Sequence, residues 1–380
     1  MRRDNWVAVI KHHMLGSNIL GIGGSEYTTI EAAISLVKKG FKVYLKTLNK
    51  SSTEQILKLS ETHNIPKKDL SNITIGDPDE DPSISINMSG DALSGPADVI
   101  YFHYPPLAPV DAYYPGLKGF NKFAGSFYRT LNYISYPLVF KRASMILSNS
   151  WLTSTLLRKT MGLSSLIVHP PVNISDILQK PPLSLREREN YVLFVARIST
   201  EKKVELSLRF ANNLKKRNID MRIIVAGILT KYNTKYYLRL LEAIDKLRLG
   251  DFIEIKPNVS RNELVELYRR AFAYIHLTPR EHFGISAVEA MAAGTPILTW
   301  QDSGTWTDAA DRNSLIALPF NSLEEATEKL THLIRNTELW HEMSVRCRTR
   351  SLIFEREAFH ERFYNTIKPL LSAYEDRPRS

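Results

Sequence analysis

Short β-branched runs bounded by Gly, Pro or Asn alternate with helical stretches along the whole chain, a pattern that predicts parallel sheets built from βαβ units. In the first half the runs predict strands at Trp6 to Lys11, Lys42 to Thr47, Ile73 to Ile75, Val99 to His103, Met145 to Ser148 and Leu166 to His169. In the second half they predict strands at Tyr191 to Ala196, Met221 to Ala226, Phe252 to Lys256, Ala273 to Leu277, Pro296 to Thr299 and Leu315 to Ala317. Helix starts agree with this alternation, because Ser51-x-x-Glu54, Ser260-x-x-Glu263 and Ser322-x-x-Glu325 each fit a capping box. The expected architecture is α/β, with two Rossmann-like doubly wound domains facing across a cleft.

Two proline pairs, Pro170-Pro171 and Pro181-Pro182, flank a polar stretch and set the expected seam. The division is 1–172 for the first domain, 173–190 for a linker, 191–351 for the second domain, and 352–380 for a last helix and tail. That helix, Phe354 to Leu371, has no strand after it to cover and is expected to cross back to the first domain.

Composition adds little against this picture: 380 residues, 43% apolar and 24% charged, are ordinary globular usage and exclude a disordered tail or a mini-protein. The N-terminus reads as a strand rather than a signal peptide, and no apolar run approaches the ~18 to 20 residues that span a bilayer. The lone Cys347 cannot form an internal disulfide, so a reducing cytoplasm is the expected location. The Asn-X-Ser/Thr triplets at Asn72, Asn87, Asn173 and Asn258 are attributed to chance.

Charge changes the picture more. The net charge is +10, yet from Ala112 to Ser175 there is no Asp or Glu, while Lys118, Lys122, Arg129, Lys141, Arg142, Arg158 and Lys159 are basic. Aromatic residues, Phe123 and Phe127 among them, alternate with these cations. Such a segment suits an anionic membrane surface, single-stranded nucleic acid, or a core helix with a basic outer face.

Open α/β sheets bind ligands beyond the carboxyl ends of their strands, so candidate chemistry is sought there. Glu281 and Glu289 stand eight residues apart in Thr278-Pro-Arg-Glu-His-Phe-Gly-Ile-Ser-Ala-Val-Glu289. On one helix that spacing is about 12 Å, too long for the ~5 to 5.5 Å carboxylate pair of a retaining glycosidase. It suits a long ligand with an anion held between the glutamates at a helix N-terminus, as in a nucleotide diphosphate-sugar. A solvated glutamate and a helix-surface glutamate fit the spacing equally well. Arg197 and Lys202, in the loop after the first strand of the second domain, suit a diphosphate leaving group. Gly23 and Gly24 open a helix after the first strand and could admit a phosphate or sugar, or only make the turn. His103 ends the Val99 strand, and the ten histidines show no metal-ligand spacing, so no metal site is expected.

Taken together, these clusters resemble glycosyltransferase family 4 on the GT-B fold. The E-x7-E segment and the Arg197/Lys202 spacing carry that resemblance. Phe102-His-Tyr-Pro-Pro106, Leu147-Ser-Asn-Ser-Trp-Leu-Thr153 and Val168-His-Pro-Pro-Val172 resemble the α-1,2-mannosyltransferases that extend dolichol-linked oligosaccharide on the cytosolic membrane face. The resemblance implies an acceptor-binding first domain and a donor-binding second domain. It implies retention of configuration without a metal or other cofactor, and GDP-mannose as donor. Arg197 and Lys202 would bind the donor diphosphate, and Glu281 the sugar hydroxyls. Phe283, Gly284 and Ile285 would present backbone N–H groups, and Glu289 would accept from the ribose. His103 would touch the donor sugar, and Gly23 and Gly24 would line an acceptor-side phosphate contact. Expected partners are a glycan or lipid-linked acceptor and the inner face of an anionic membrane, met by Lys118, Lys122, Phe123, Phe127 and Arg129, with no nucleic acid. Two rival readings are an enzyme of the same fold that uses a UDP- or ADP-hexose donor or a soluble acceptor, and a non-catalytic nucleic-acid or membrane binder.

Overall fold

The structure, a computed structural model, describes residues 6–13, 15, 23–47, 65–108 and 119–375, the side chains of 119–122 and 373–375 excepted. Lys118 and the Ser51/Glu54 pair lie outside the described residues, as does the side chain of Lys122. The chain forms two compact units, one of Met1–Pro171 with Arg356–Ser380 and one of Val172–Glu355.

Unit 1 holds strands β1 (Val7–Lys11), β2 (Lys42–Lys46), β3 (Ile73–Ile75), β4 (Ile84–Asn87), β5 (Val99–Phe102), β6 (Met145–Ser148) and β7 (Leu166–Ile167). They form one parallel sheet in the order β3-β2-β1-β4-β5-β6-β7, with Ala8 in register with Val43 on one side and Ile84 on the other. Its helices are α1 (Gly24–Lys38), α2 (Lys67–Leu70), α3 (Gly119–Ile134), α4 (Tyr136–Val139) and α5 (Trp151–Met161). The sequence pattern does not announce β4: Ser83-Ile-Ser-Ile-Asn87 offers two isoleucines after an acidic loop, yet the strand lies at the centre of the sheet. Its last residue, Asn87, is fully buried; the side-chain NH2 donates to the carbonyls of Asp91 and Gly95, and the Oδ1 accepts from Ser89 and Gly90.

Unit 2 holds β8 (Glu189–Val195), β9 (Arg222–Gly227), β10 (Ile253–Pro257), β11 (Ala271–His276), β12 (Ile297–Trp300) and β13 (Ala317–Phe320), parallel in the order β10-β9-β8-β11-β12-β13. Helices α6 (Ser175–Leu178), α7 (Glu205–Lys216), α8 (Thr234–Lys246), α9 (Arg261–Arg270), α10 (Ile285–Ala292), α11 (Leu323–Arg335) and α12 (Thr337–Ser351) complete it. The β13 strand runs through Pro319, where the sequence pattern stops short at Ala317. An edge strand tolerates a proline because one side of its backbone has no ladder to feed, and β13 is at the edge. In both sheets the strand order reverses beside the first strand, between β1 and β4 and between β8 and β11, which marks the ligand-binding position of doubly wound folds.

The helix expected to cross back does so. It is α13 (Arg356–Glu375), which packs on α1 in unit 1, where Phe359, Phe363, Ile367 and Leu371 enter the core around β1 and β2. At this contact the fully buried Glu31 accepts from Arg356 Nε and His360 Nε2, both at 2.7 Å. Burial alone would raise that carboxyl, but His360 and Arg356 outweigh it and hold Glu31 below its ordinary range.

Residues 173–190, expected as a linker, pack on unit 2. Ile174 and Ile177 are buried in its core, and Arg188 is almost wholly enclosed. The Arg188 guanidinium donates to Thr295 Oγ1 at 2.7 Å and to the carbonyls of Ala293, Gly294 and Ala271 at 2.9, 3.1 and 3.1 Å, and lies over the Trp340 ring. Cys347 is likewise buried, its thiol donating to the Ile316 carbonyl and its pKa pushed up by burial.

Candidate active site

In unit 2 the loops after β8 and β11 converge. Lys202 Nζ lies 2.7 Å from Glu281 Oε2, and Arg197 donates to Glu201 Oε1 at 2.9 Å. Both expected diphosphate cations are therefore already paired with a carboxylate. Lys203 and Arg280, next in sequence to that first pair, take left-handed backbone at φ 49° and 55°. Such geometry is costly for a side-chain-bearing residue and persists only where its surroundings impose it.

Behind Glu281 stands a polar chain. His276 Nε2 is 3.5 Å from the same Oε2, at the long limit for a hydrogen bond. The other ring nitrogen of His276 lies 3.2 Å from the Tyr274 hydroxyl, which in turn is 2.8 Å from Ser286 Oγ. Burial by itself would raise the Glu281 carboxyl, but the Lys202 ammonium and His276 overcome it and hold Glu281 well below the usual carboxylate range. Tyr274 and His276 are two apart on β11 and so share a face, a signal that could have located them in the sequence.

The loop from Glu281 to Gly284 is pinned from the β12 side. Gly304 N–H donates to the Glu281 carbonyl at 2.7 Å, and Thr305 Oγ1 to the Phe283 carbonyl at 3.2 Å. The approach is so close that a Cβ on Gly304 would stand 1.8 Å from the His282 carbonyl oxygen. Gly284, at φ 93°, caps α10, and a Cβ there would meet Thr305 Oγ1 at 2.2 Å. Phe283 is buried with its ring edge-on to Phe354. The first N–H groups of α10, from Ile285 onward, have no acceptor in their own helix and form the positive end of its dipole.

Glu289 lies on α10 with both carboxylate oxygens engaged: Oε1 accepts from Arg261 and Oε2 from Tyr268 at 2.8 Å. Arg261 is held in turn by Asp176 through Nε at 2.8 Å and a terminal nitrogen at 2.9 Å. Sequence reasoning missed Arg261 and Tyr268, whose partners come from elements far apart in the chain. The structure thus brings Arg197, Lys202, Glu281, Phe283, Gly284, Ile285 and Glu289 onto the loops and helix beside β8 and β11.

The remaining expected residues belong to unit 1. His103 follows β5, and its Nε2 donates to the Met88 carbonyl at 3.1 Å. Gly23 and Gly24 do start α1, but the Glu26 carboxylate accepts from Gly23 N–H at 3.1 Å and from Ser25 Oγ at 2.8 Å. Glu26 thus closes a capping box on Gly23 at the start of α1. On α3, Phe123, Phe127 and Ile134 are 68%, 63% and 68% exposed, while Arg129, also exposed, rests its Nε on the Leu107 carbonyl. Among the described residues no helix is long and apolar enough to cross a membrane, and no three His, Cys, Asp or Glu side chains gather as metal ligands.

Residues 176–350 match the sequence model of the family described as "Glycosyl transferases group 1". The chain is 24% identical over 306 residues to the GDP-Man:Man(3)GlcNAc(2)-PP-Dol alpha-1,2-mannosyltransferase of Dictyostelium discoideum, covering 74% of this chain and 60% of that relative. It is 32% identical over 162 residues to the O-antigen chain mannosyltransferase RfbU of Salmonella typhimurium, covering 42% of each. Both alignments span less than two thirds of the relative's length. Among solved structures, that of Anabaena HepE with UDP-glucose superposes with a TM-score of 0.67 over 96% of this chain and 99% of that one, at 15% identity, a likeness of fold.

Proposed function

We propose that the protein is a retaining mannosyltransferase that moves mannose from GDP-mannose to a lipid-linked or other glycan acceptor, a reading supported by the match of residues 176–350 to the model of the group 1 glycosyl transferases and by the GT-B fold. The observation that carries this reading is the cluster beside β8 and β11. There Lys202 and Glu281 meet at 2.7 Å in front of the start of α10. The ammonium and the helix dipole offer positive charge to a departing nucleoside diphosphate. The Glu281 carboxylate, kept ionised, accepts from sugar hydroxyls, and Glu289, squared up by Arg261 and Tyr268, accepts from the ribose with its remaining lone pairs. In this reading the cations and the dipole supply the charge compensation that a divalent ion would otherwise give, and the leaving phosphate takes the acceptor proton. The likeness to the two mannosyltransferases supports mannose as the sugar moved.

A thermal-shift panel of GDP-, UDP- and ADP-sugars tests the donor. A ligand at 100 times its Kd stabilises by about 2.7 kcal/mol, so GDP-mannose is expected to raise the melting temperature by roughly 2–4 °C. A larger rise with UDP-glucose would transfer the reading to a UDP-hexose, and no rise with any nucleotide sugar would end it.

Exposed apolar and basic side chains on and after α3 support a peripheral membrane location at an inner, cytoplasmic face. Phe123, Phe127 and Ile134 follow one stripe of the helix, and Leu138, Lys141 and Arg142 are exposed beyond it. The absence of acidic residues from 112 to 175 suits anionic lipid. The protein is expected to float with vesicles of phosphatidylcholine and phosphatidylserine, and Phe123→Ser with Phe127→Ser to abolish flotation. Wild-type protein left at the bottom of the gradient would leave a soluble acceptor.

A further inference from the structure

Unit 1 contains a framed histidine that the chemistry above does not use. His13 follows β1, and Asp91 follows β4, so the two stand where the strand order of unit 1 reverses. Asp91 is 1% exposed and its carboxylate is fully committed. Its Oδ1 accepts from Leu93 N–H and Ser94 N–H at 3.1 and 3.3 Å, and its Oδ2 accepts from the Tyr128 hydroxyl at 2.9 Å and faces His13 Nδ1 at 3.2 Å, a ring nitrogen that also lies 3.1 Å from Ser89 Oγ. The His13 backbone N–H is held as well, by Ser94 Oγ at 3.0 Å and Ser89 Oγ at 3.2 Å.

This frame dictates what the ring can do. An ionised carboxylate only accepts, so an imidazole with a single proton carries it on Nδ1 and keeps a lone pair on Nε2. Nε2 has no hydrogen-bond partner among the described residues, whereas backbone, ring nitrogen and carboxylate are all fixed. A hydrogen-bond acceptor at a strand-order reversal, with an anionic carboxylate directly behind it, is suited to a neutral hydroxyl. It is poorly suited to a phosphate, whose negative charge the Asp91 carboxylate repels. The Glu26 carboxylate, which accepts from the Gly23 N–H just before α1 and from Ser25 Oγ, places a further negative charge after β1.

We propose that His13 Nε2 accepts a hydrogen bond from a hydroxyl of the sugar acceptor, and that Asp91 and Tyr128 are positioning residues that fix the ring. The proposal rests on the glycosyltransferase reading, and it shifts the acceptor contact in unit 1 from Gly23 and Gly24 to His13. Because Tyr128 is on α3 and its hydroxyl also lies 3.0 Å from that of Tyr104, the frame reaches the helix that carries the exposed apolar stripe.

The test uses the full chain, labelled with 13C and 15N in the histidine rings, with methyl α-mannoside as probe. The His13 Cε1–H resonance, identified by its loss in His13→Gln, is expected to move on titration with methyl α-mannoside and to stay in place with inorganic phosphate. The 15N shifts are expected to report the proton on Nδ1 in the wild type and to lose that bias in Asp91→Asn. In transfer assays His13→Gln is expected to raise the acceptor KM at least tenfold, with donor KM and donor hydrolysis unchanged. A resonance that ignores the mannoside overturns the proposal, and so does an unchanged acceptor KM. If His13→Gln does not fold, selective detection in Asp91→Asn and the wild-type titration still decide. Failure of the glycosyltransferase reading would show separately, as wild-type protein whose melting temperature no nucleotide sugar raises.

Discussion

Replacing Lys202 with alanine is expected to slow sugar transfer by about 10²–10³-fold, the loss seen when one preorganised group facing developing charge is removed. The fold should survive, because Lys202 sits in a loop and its side chain is 29% exposed. The loss should fall on kcat, since the charge on the departing diphosphate grows toward the transition state and the ammonium meets it most strongly there. Glu281 should respond too. Its carboxyl is held well below the ordinary range, against its own burial, largely by Lys202, so its pKa should climb in the variant. Lys202→Arg keeps the charge but replaces a compact ammonium with a planar fork, and only partial recovery is expected. Initial rates with GDP-mannose check this, and a Lys202→Ala rate within about tenfold of wild type would remove the leaving-group role.

Arg188→Ala is expected to be the most damaging single change to the stability of unit 2. The guanidinium closes the end of α10 by donating to the Ala293 and Gly294 carbonyls, and ties it to β11 and Thr295. Burial lowers its pKa to about 10, so at neutral pH it remains a charged donor to all of these acceptors. Truncation leaves several buried carbonyls without a donor, at about 1–3 kcal/mol each, and opens a cavity beside Trp340. A total loss of about 3–5 kcal/mol is expected, in line with breaking a buried charged network. Urea unfolding checks it, and a loss below about 1 kcal/mol would show that water satisfies those carbonyls. Because the same helix presents the proposed anion-binding end, donor affinity should fall along with stability.

Arg188 also shows where the sequence stopped being legible. It belongs to Arg186-Glu-Arg-Glu189, a run that resembles a solvated linker, and only tertiary contacts with Ala293, Gly294 and Thr295 distinguish it from its neighbours. Strands with dense β-branched runs, such as Ile223-Ile224-Val225 within β9, were readable because burial on both faces of a parallel sheet demands them. By contrast, β4 was not readable, because half of its residues are serine and asparagine and its place in the sheet depends on partners 76 residues away in β1. In the candidate site, the glutamates and cations after β8 and β11 were visible as sequence spacing. Their partners were not: Arg261, Tyr268 and His276 are ordinary helix and strand residues until the fold aims them at a carboxylate.

The clasp between α1 and α13 bears on the order in which the protein matures. The segment that fills the last gap in the core of unit 1 follows the whole of unit 2 in the chain. On the ribosome, the sheet begun first must therefore wait, its apolar flank over α1 uncovered, until every residue through Glu355 has been made. Through that interval Glu31 has neither Arg356 nor His360 to neutralise it. A chaperone acting on the nascent chain would find its binding surface there, in a region that the finished molecule conceals.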